Sequence, residues 1–520
     1  MIRTGRFVWI LVSLGLMFPA VAGAEVKLPA IIGEHMVLQQ HRSVPIWGTA
    51  GAGEKVTVSF RGKNATATAD PNGNWLARVD AQEAGGPFEL TIAGSSTIKF
   101  TDILVGEVWI CSGQSNMQFG LKFAKDGEKE VAEANFPTLR LFSVERTPSV
   151  MPLKDVKGEW EACTPESSPM FSAVGYFFGR DLLRDLKVPI GMIHTSWGGT
   201  PSEAWTTREK LQSIPTARPL LERLAKVVAD YPEAKKKFDA DMAAWEAAAN
   251  KAKSANQPEP AGKPNPPAGP ETVNQPAVLY NGMIAPLVPY GIKGAIWYQG
   301  EANTDRGYQY RDIFPGMINN WRDAWGEGDF PFLFVQLTNF TERKTEHEVD
   351  PGESAWAELR EAQTRTLALP NTGMATTIDI GVWNDIHPKN KQDVGHRLAG
   401  AARFVAYGDA KAVPSGPMYK SVSINNNEAR VTFQWGNGLQ VKGEGPPKGF
   451  AIAGADHKFY WAEAKIDGHD IVLHCDKVPN PVAVRYAWAD NPNTNLYNGA
   501  GLPAVPFRTD DWPGITLDKN

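Results

Sequence analysis

Three cysteines in 520 residues are too few to staple a scaffold. Cys111, Cys163 and Cys475 allow at most one disulfide, so the fold has to rest on a buried core. The nine histidines show no metal-ligand spacing with the cysteines, and neither a metal nor a cofactor is expected. There is no basic tract and the net charge is −5, which argues against nucleic acid as a partner. After the opening segment no apolar run reaches the ~18 residues that a membrane-spanning helix needs.

What is present is an ordinary globular composition, 42% hydrophobic, in a chain long enough for more than one domain. Seventeen Trp and twelve Tyr exceed the usual need of a core; exposed aromatics suit sugar rings, whose C–H faces stack on them, and buried ones suit packing. Residues 1–24 read as an export signal. Arg3 and Arg6 precede an apolar stretch from Phe7 to Phe18, and Ala22-Gly23-Ala24 forms a small-x-small cleavage site before Glu25. A soluble periplasmic or secreted protein with no membrane span after cleavage is therefore expected. The sequence sets no oligomeric state.

Three rhythms divide the remainder. From 25 to 101, short alternating segments such as Lys55–Phe60 and Phe88–Ile92, with a turn at Asp70-Pro71-Asn72-Gly73, predict a small β-sandwich. From 102 to 410, buried runs (Leu139–Val144, Ile190–Thr195, Ile292–Tyr298, Phe332–Leu337, Met374–Ile380) alternate with helical patterns (Ala173–Leu186, Tyr308–Trp325, Trp356–Leu369, Lys391–Ala406). That alternation predicts a mostly parallel sheet with helices on both faces. Residues 208–276, first rich in Ala, Lys and Glu and then in Pro, read as an insertion of one or two surface helices with an extended return. From 411 to 520, period-two alternation predicts a second β-rich module.

Ligands of parallel sheets bind beyond the carboxyl ends of the strands, and four polar stretches fall there. The run Val105–Cys111 ends in Ser112-Gly113-Gln114-Ser115-Asn116, placing the Ser115 hydroxyl at a strand-to-helix turn beside N–H groups with no helical acceptor. In Asp385-Ile386-His387-Pro388, Pro388 keeps His387 out of the helical region. Asp385, two residues earlier on the same face, can then reach the imidazole. Trp197-Gly198-Gly199 offers a backbone N–H from Gly198 or Gly199 for an oxyanion. Trp297-Tyr298-Gln299-Gly300-Glu301-Ala302-Asn303 offers the amides of Gln299 and Asn303. His194, near a strand end, is a weaker base candidate. Glu301 with Asp385 would instead make a carboxylate pair.

These four blocks, Gly113-Gln114-Ser115-Asn116-Met117, Trp197–Pro201, Tyr298–Glu301 and Asp385–Pro388, together resemble the sialate O-acetylesterase family of SGNH (GDSL-like) hydrolases. Glu34–Gln39, Arg485–Trp488 and Asn495–Asn498 resemble its flanking modules. The resemblance implies a three-layer α/β/α domain between β-sandwich modules, and metal-free removal of O-acetyl groups from carbohydrate. It implies Ser115 as nucleophile, His387 as base and Asp385 as its orienting acid, with Asp379 the alternative because the common Asp-x-x-His spacing is not kept. The oxyanion would lie among Ser115, Gly198, Gln299 and Asn303. Gln114, Asn116, Trp197, Glu301 and Trp383 are expected to contact substrate. Besides an esterase acting on O-acetyl sialic acid, a deacetylase of xylan or xyloglucan and a non-catalytic glycan-binding protein fit the same residues.

Overall fold

The computed structural model describes residues 25–343 and 351–519; the expected export signal at 1–24 lies outside them. The organising element is strand β1 (Thr97–Gly113), seventeen residues long. Its first six residues alternate between exposed and half-buried, while from Ile103 onward it is continuously buried. One strand thus serves two environments. Its beginning pairs antiparallel with Gly85–Ala93 in the N-terminal sheet, and its end lies inside the central parallel sheet, covered on both faces.

That central sheet also contains β2 (Phe136–Ser143), β3 (Trp160–Cys163), β4 (Ile190–Ser196), β5 (Gly294–Tyr298), β6 (Phe332–Val335) and β7 (Thr372–Ala375), in the order β7-β6-β5-β1-β4-β2-β3. All neighbours are parallel except β3 on β2. Because β4 and β5 flank β1 on opposite sides, the loops that follow them part above the carboxyl end of β1, opening a crevice there. Helices α2 (Ala173–Leu186) and α6 (Lys391–Val405) pack together beside the sheet, as do α4 (Gly307–Trp325) and α5 (Ala355–Thr366). Ser172, Ser354 and Asn390 cap three of these helices through their side-chain oxygens, each cap being worth about 1 kcal/mol.

The expected three-layer α/β/α domain is therefore present, with a β-rich module at each end. The N-terminal strands share a single apolar core with the central sheet, so the change of rhythm near residue 101 falls within one continuous strand. The C-terminal module has its own core between two four-stranded antiparallel sheets. It is tied back to the central domain by polar contacts: Tyr497 Oη donates to Asp379 Oδ2 (3.2 Å), and Ile515 N and Thr516 Oγ1 donate to the Glu358 carboxylate. The insertion is the short helix Arg208–Gln212, the 37-residue helix α3 (Arg218–Ser254) and an irregular return. Trp245 Nε1 clasps that return by donating to Pro260 O at 3.0 Å.

Much of the aromatic excess belongs to the core. Trp109, Trp205, Trp297 and Trp321 are fully buried, and the last three stack edge-on around Trp297. Trp383 stands apart, 58% exposed. All three cysteines are free thiols, Cys111 and Cys163 buried.

Candidate active site

Gly113 ends β1 with φ +136°, and a side chain there would overlap the carbonyl of Tyr298; only glycine lets β1 and β5 close up at this point. The chain then turns into α1 (Ser115–Gln118), with Ser115 as its first residue and half-buried. The first N–H groups of a helix have no intrahelical acceptor, so the Ser115 N–H is available beside its own hydroxyl. Gly198, in the loop after β4, approaches so closely that a Cβ there would lie 3.2 Å from the Ser115 Cβ. The Gly198 N–H is not idle: it donates to Gln118 Oε1 at 2.7 Å. Gln118 follows Ser115 by one helical turn and so shares its face.

The base loop comes in from the other side. Asn116 is fully buried, and its Nδ2 donates to the Ile386 carbonyl (3.0 Å) and to Glu301 Oε1 (2.6 Å). The residue next to Ser115 thereby holds the one preceding His387. Lys125 N–H adds a second tie, donating to Lys389 O at 2.8 Å. Burial and the nearby Lys391 charge hold the half-exposed His387 ring below the ordinary histidine range, against the opposing pull of Asp385. A base that is neutral near pH 7 is what proton abstraction requires.

Asp385 does not hold the ring as expected. Its Oδ1 lies 4.0 Å from His387 Nδ1, too far for a hydrogen bond. The same oxygen accepts the His387 backbone N–H at 2.8 Å. Short carboxylates readily bond the main chain two residues on, and that local turn takes the group away from the imidazole. Asp379, the alternative, is committed to Arg397 (2.6 and 2.8 Å) and to Tyr497.

The side-chain amides expected at the oxyanion are committed as well. Gln299 is fully buried; its Nε2 donates to Thr200 O and Asn303 Oδ1, and its Oε1 accepts from Tyr310 Oη. Both amide protons are used, which removes Gln299 from the set of donors. Asn303, 1% exposed, donates to Glu203 Oε2 and accepts from Ser202 N–H. The buried Gln114 accepts the Gly300 and Ala302 N–H groups and so braces the loop after β5 from within. Gln114 and Asn116 are therefore scaffold rather than substrate contacts. Trp197 is half-buried beneath the Arg146 guanidinium. His194 Nε2 lies 2.6 Å from Ser196 Oγ, and burial and Arg146 push it down to about 4, so its ring is uncharged near neutrality.

One neighbour of these groups, Lys391, is not among the residues that the sequence reading singled out. Lys391, at the start of α6, is 0% exposed and donates to Asn116 Oδ1 at 2.5 Å, with its ammonium over the Phe119 and Tyr298 rings. Burial pushes it down to about 7, against the pull of Glu301 and Asp385. Burial also raises Glu301, whose Oε2 is enclosed without a partner. A lysine at the first position of a helix ordinarily points to solvent; its place four residues after His387 was the available signal.

Beside this centre, Asn339, Glu342, Arg343, Gly381, Trp383 and Asn491 line a cavity of about 480 Å3. It opens along the loop that leads to His387.

The chain as a whole is similar to known proteins. The family profile described as carbohydrate esterase, sialic acid-specific acetylesterase matches residues 273–403. Sialate O-acetylesterase of Rattus norvegicus is 32% identical over 536 residues, spanning 94% of both chains. That of Homo sapiens is 29% identical, spanning 96% of this chain and 97% of its own. The crystal structure of a carbohydrate acetylesterase from Xanthomonas citri superposes with a TM-score of 0.78 at 41% identity, covering 94% of this chain and 100% of that one. With Ser115 at the switch point of a three-layer sheet and likeness running almost end to end, this chain belongs to the sialate O-acetylesterase family of carboxylic ester hydrolases.

Proposed function

We propose that the protein is a carbohydrate O-acetylesterase that works through an acetyl-enzyme on Ser115. The observation that carries this reading is the convergence at one point. Gly198 comes close enough to Ser115 that a Cβ on it would lie 3.2 Å from the Ser115 Cβ, and Asn116 holds the loop of His387. His387 takes the Ser115 proton as Oγ attacks the acetyl carbonyl carbon. The backbone N–H groups of Ser115 and Gly198 receive the oxyanion, the substrate oxygen replacing Gln118 Oε1 on Gly198. The ester C–O bond breaks, and the sugar oxygen leaves with the proton from His387. Water, deprotonated by the same ring, attacks the acetyl-enzyme and acetate departs, returning the proton to Ser115. Ser115→Ala should abolish hydrolysis of an acetylated chromogenic ester; retention of more than a few per cent would refute the assignment.

Sialic acid is one substrate that the family names suggest. A second reading, deacetylation of a plant polysaccharide, is favoured by Trp383. Its exposed ring and the adjoining cavity offer a stacking platform for sugars beyond the one that carries the acetyl group. Acetate release from O-acetyl sialic acid compared with acetylated hemicellulose separates the two. The N-terminal signal pattern supports a periplasmic or secreted site of action, and a mature N-terminus at Glu25 in exported protein tests it. No helix among the described residues is long and apolar enough to cross a membrane.

A further inference from the structure

The acid that should orient His387 is 4.0 Å from the ring and bonded to the backbone instead. Yet the base loop is firmly held, and the group that holds it is the Asn116 amide. An amide can be turned over, exchanging its oxygen for its nitrogen, and in one of the two orientations it would present oxygen to the Ile386 carbonyl and to Glu301, repelling both. An ammonium group is a donor without acceptor capacity. Placed 2.5 Å from Asn116 Oδ1, Lys391 in its protonated form adds a third partner to the orientation that the acceptors Ile386 O and Glu301 Oε1 already favour, with Nδ2 facing both. We propose that Lys391 is a positioning residue of the esterase: by locking the Asn116 amide it ties the turn of Ser115 to the loop of His387. This rests on Ser115 and His387 being the reacting pair.

Three further observations fit. Lys391 is fully buried, a cost to a cation that its place over the Phe119 and Tyr298 ring faces and its bond to Asn116 Oδ1 offset. Glu301 supplies the counter-charge across Asn116, and Asp385 faces Lys391 from the loop. The groups that act on His387 are Lys391, which opposes its protonation, and Asp385, which favours it. As pH falls below about 7, Lys391 takes up its proton and its charge then keeps His387 neutral further into acid.

The test compares wild type, Lys391→Met and Lys391→Gln on an acetylated chromogenic ester across the acid limb of the pH profile. Methionine removes both donor and charge, so kcat should fall about tenfold to 100-fold, as expected for misplaced catalytic groups. KM should change little. Glutamine restores a donor to Asn116 without the charge, so kcat should largely recover while the acid limb stays displaced to higher pH. Wild-type kcat in Lys391→Met, or an unshifted limb in Lys391→Gln, overturns the proposal. Unfolding of both variants also overturns it, by assigning Lys391 to the core alone. Ser115→Ala in parallel separates the outcomes. If it stays active, the underlying esterase assignment has failed; if it is dead while Lys391→Met is normal, only the role of Lys391 has.

Discussion

Gly198 lies against Ser115 so closely that a single added methyl group would stand 3.2 Å from the Ser115 Cβ and 3.3 Å from Gln118 Oε1. That spacing is tighter than ordinary van der Waals contact, so Gly198→Ala must move either the nucleophile or the Gln118 side chain. The backbone at Gly198 needs no positive φ, so the fold should tolerate the substitution. We expect kcat to fall by less than the ~100-fold that a displacement of about 1 Å produces, because a shift of a few tenths of an ångström relieves the contact, with thermal stability nearly unchanged. Steady-state kinetics alongside a melting curve checks both halves.

Asp385→Asn should be mild. In a triad where the aspartate holds the imidazole, its amide variant loses about 10⁴-fold. Here asparagine can still accept the His387 backbone N–H, and the ring has no bond to lose. A loss below about tenfold is expected. Because Asp385 raises His387, removing its charge lowers the base further, and the acid limb of kcat/KM should move to lower pH. A fall approaching the triad value would show that the carboxylate swings onto the ring during turnover.

Gln299→Ala should act on stability rather than chemistry. It leaves Thr200 O without its partner and removes one of the partners of Asn303 Oδ1 and of Tyr310 Oη in a fully buried setting, and a buried group left unsatisfied costs about 1–3 kcal/mol. Chemical denaturation should show the loss. The folded fraction should keep kcat far above the 10²–10³-fold deficit that marks a missing oxyanion donor.

Trp383→Ala should separate small substrates from large ones. An acetylated chromogenic ester does not reach the exposed ring, so its kcat/KM should hold. An acetylated oligosaccharide should lose about tenfold in KM, equivalent to a contact of about 1.4 kcal/mol. Equal loss on both substrates would place Trp383 in the support of the His387 loop.

The layered architecture was legible because the strands of the sheet are mostly apolar, as in Gly294–Tyr298 and Phe332–Val335, and the helices packed on it carry apolar residues at three-to-four spacing. The Ala173–Leu186 pattern coincides with its helix end to end. The meeting of Ser115, Gly198, Glu301 and the His387 loop followed from their places just beyond strand ends. The domain border at 101 was misleading, since a change from alternating to continuous burial reads as two segments where one strand passes from an open sheet to an enclosed one. Hydrogen-bond commitment was not legible. Nothing local distinguishes a free amide from Gln299, which is used by Thr200, Asn303 and Tyr310, or an orienting carboxylate from Asp385, which bonds its own loop. Nor does spacing alone reveal that Lys391 is turned inward onto Asn116.

The most direct measurement is to mix the enzyme with an acetylated substrate, quench in acid during turnover and map the chain by mass spectrometry. An added acetyl group on the peptide containing Ser115, absent from Ser115→Ala, is the result expected of a covalent acetyl-enzyme. Acetate release with no acetylated peptide, or with the label on another residue, would contradict it.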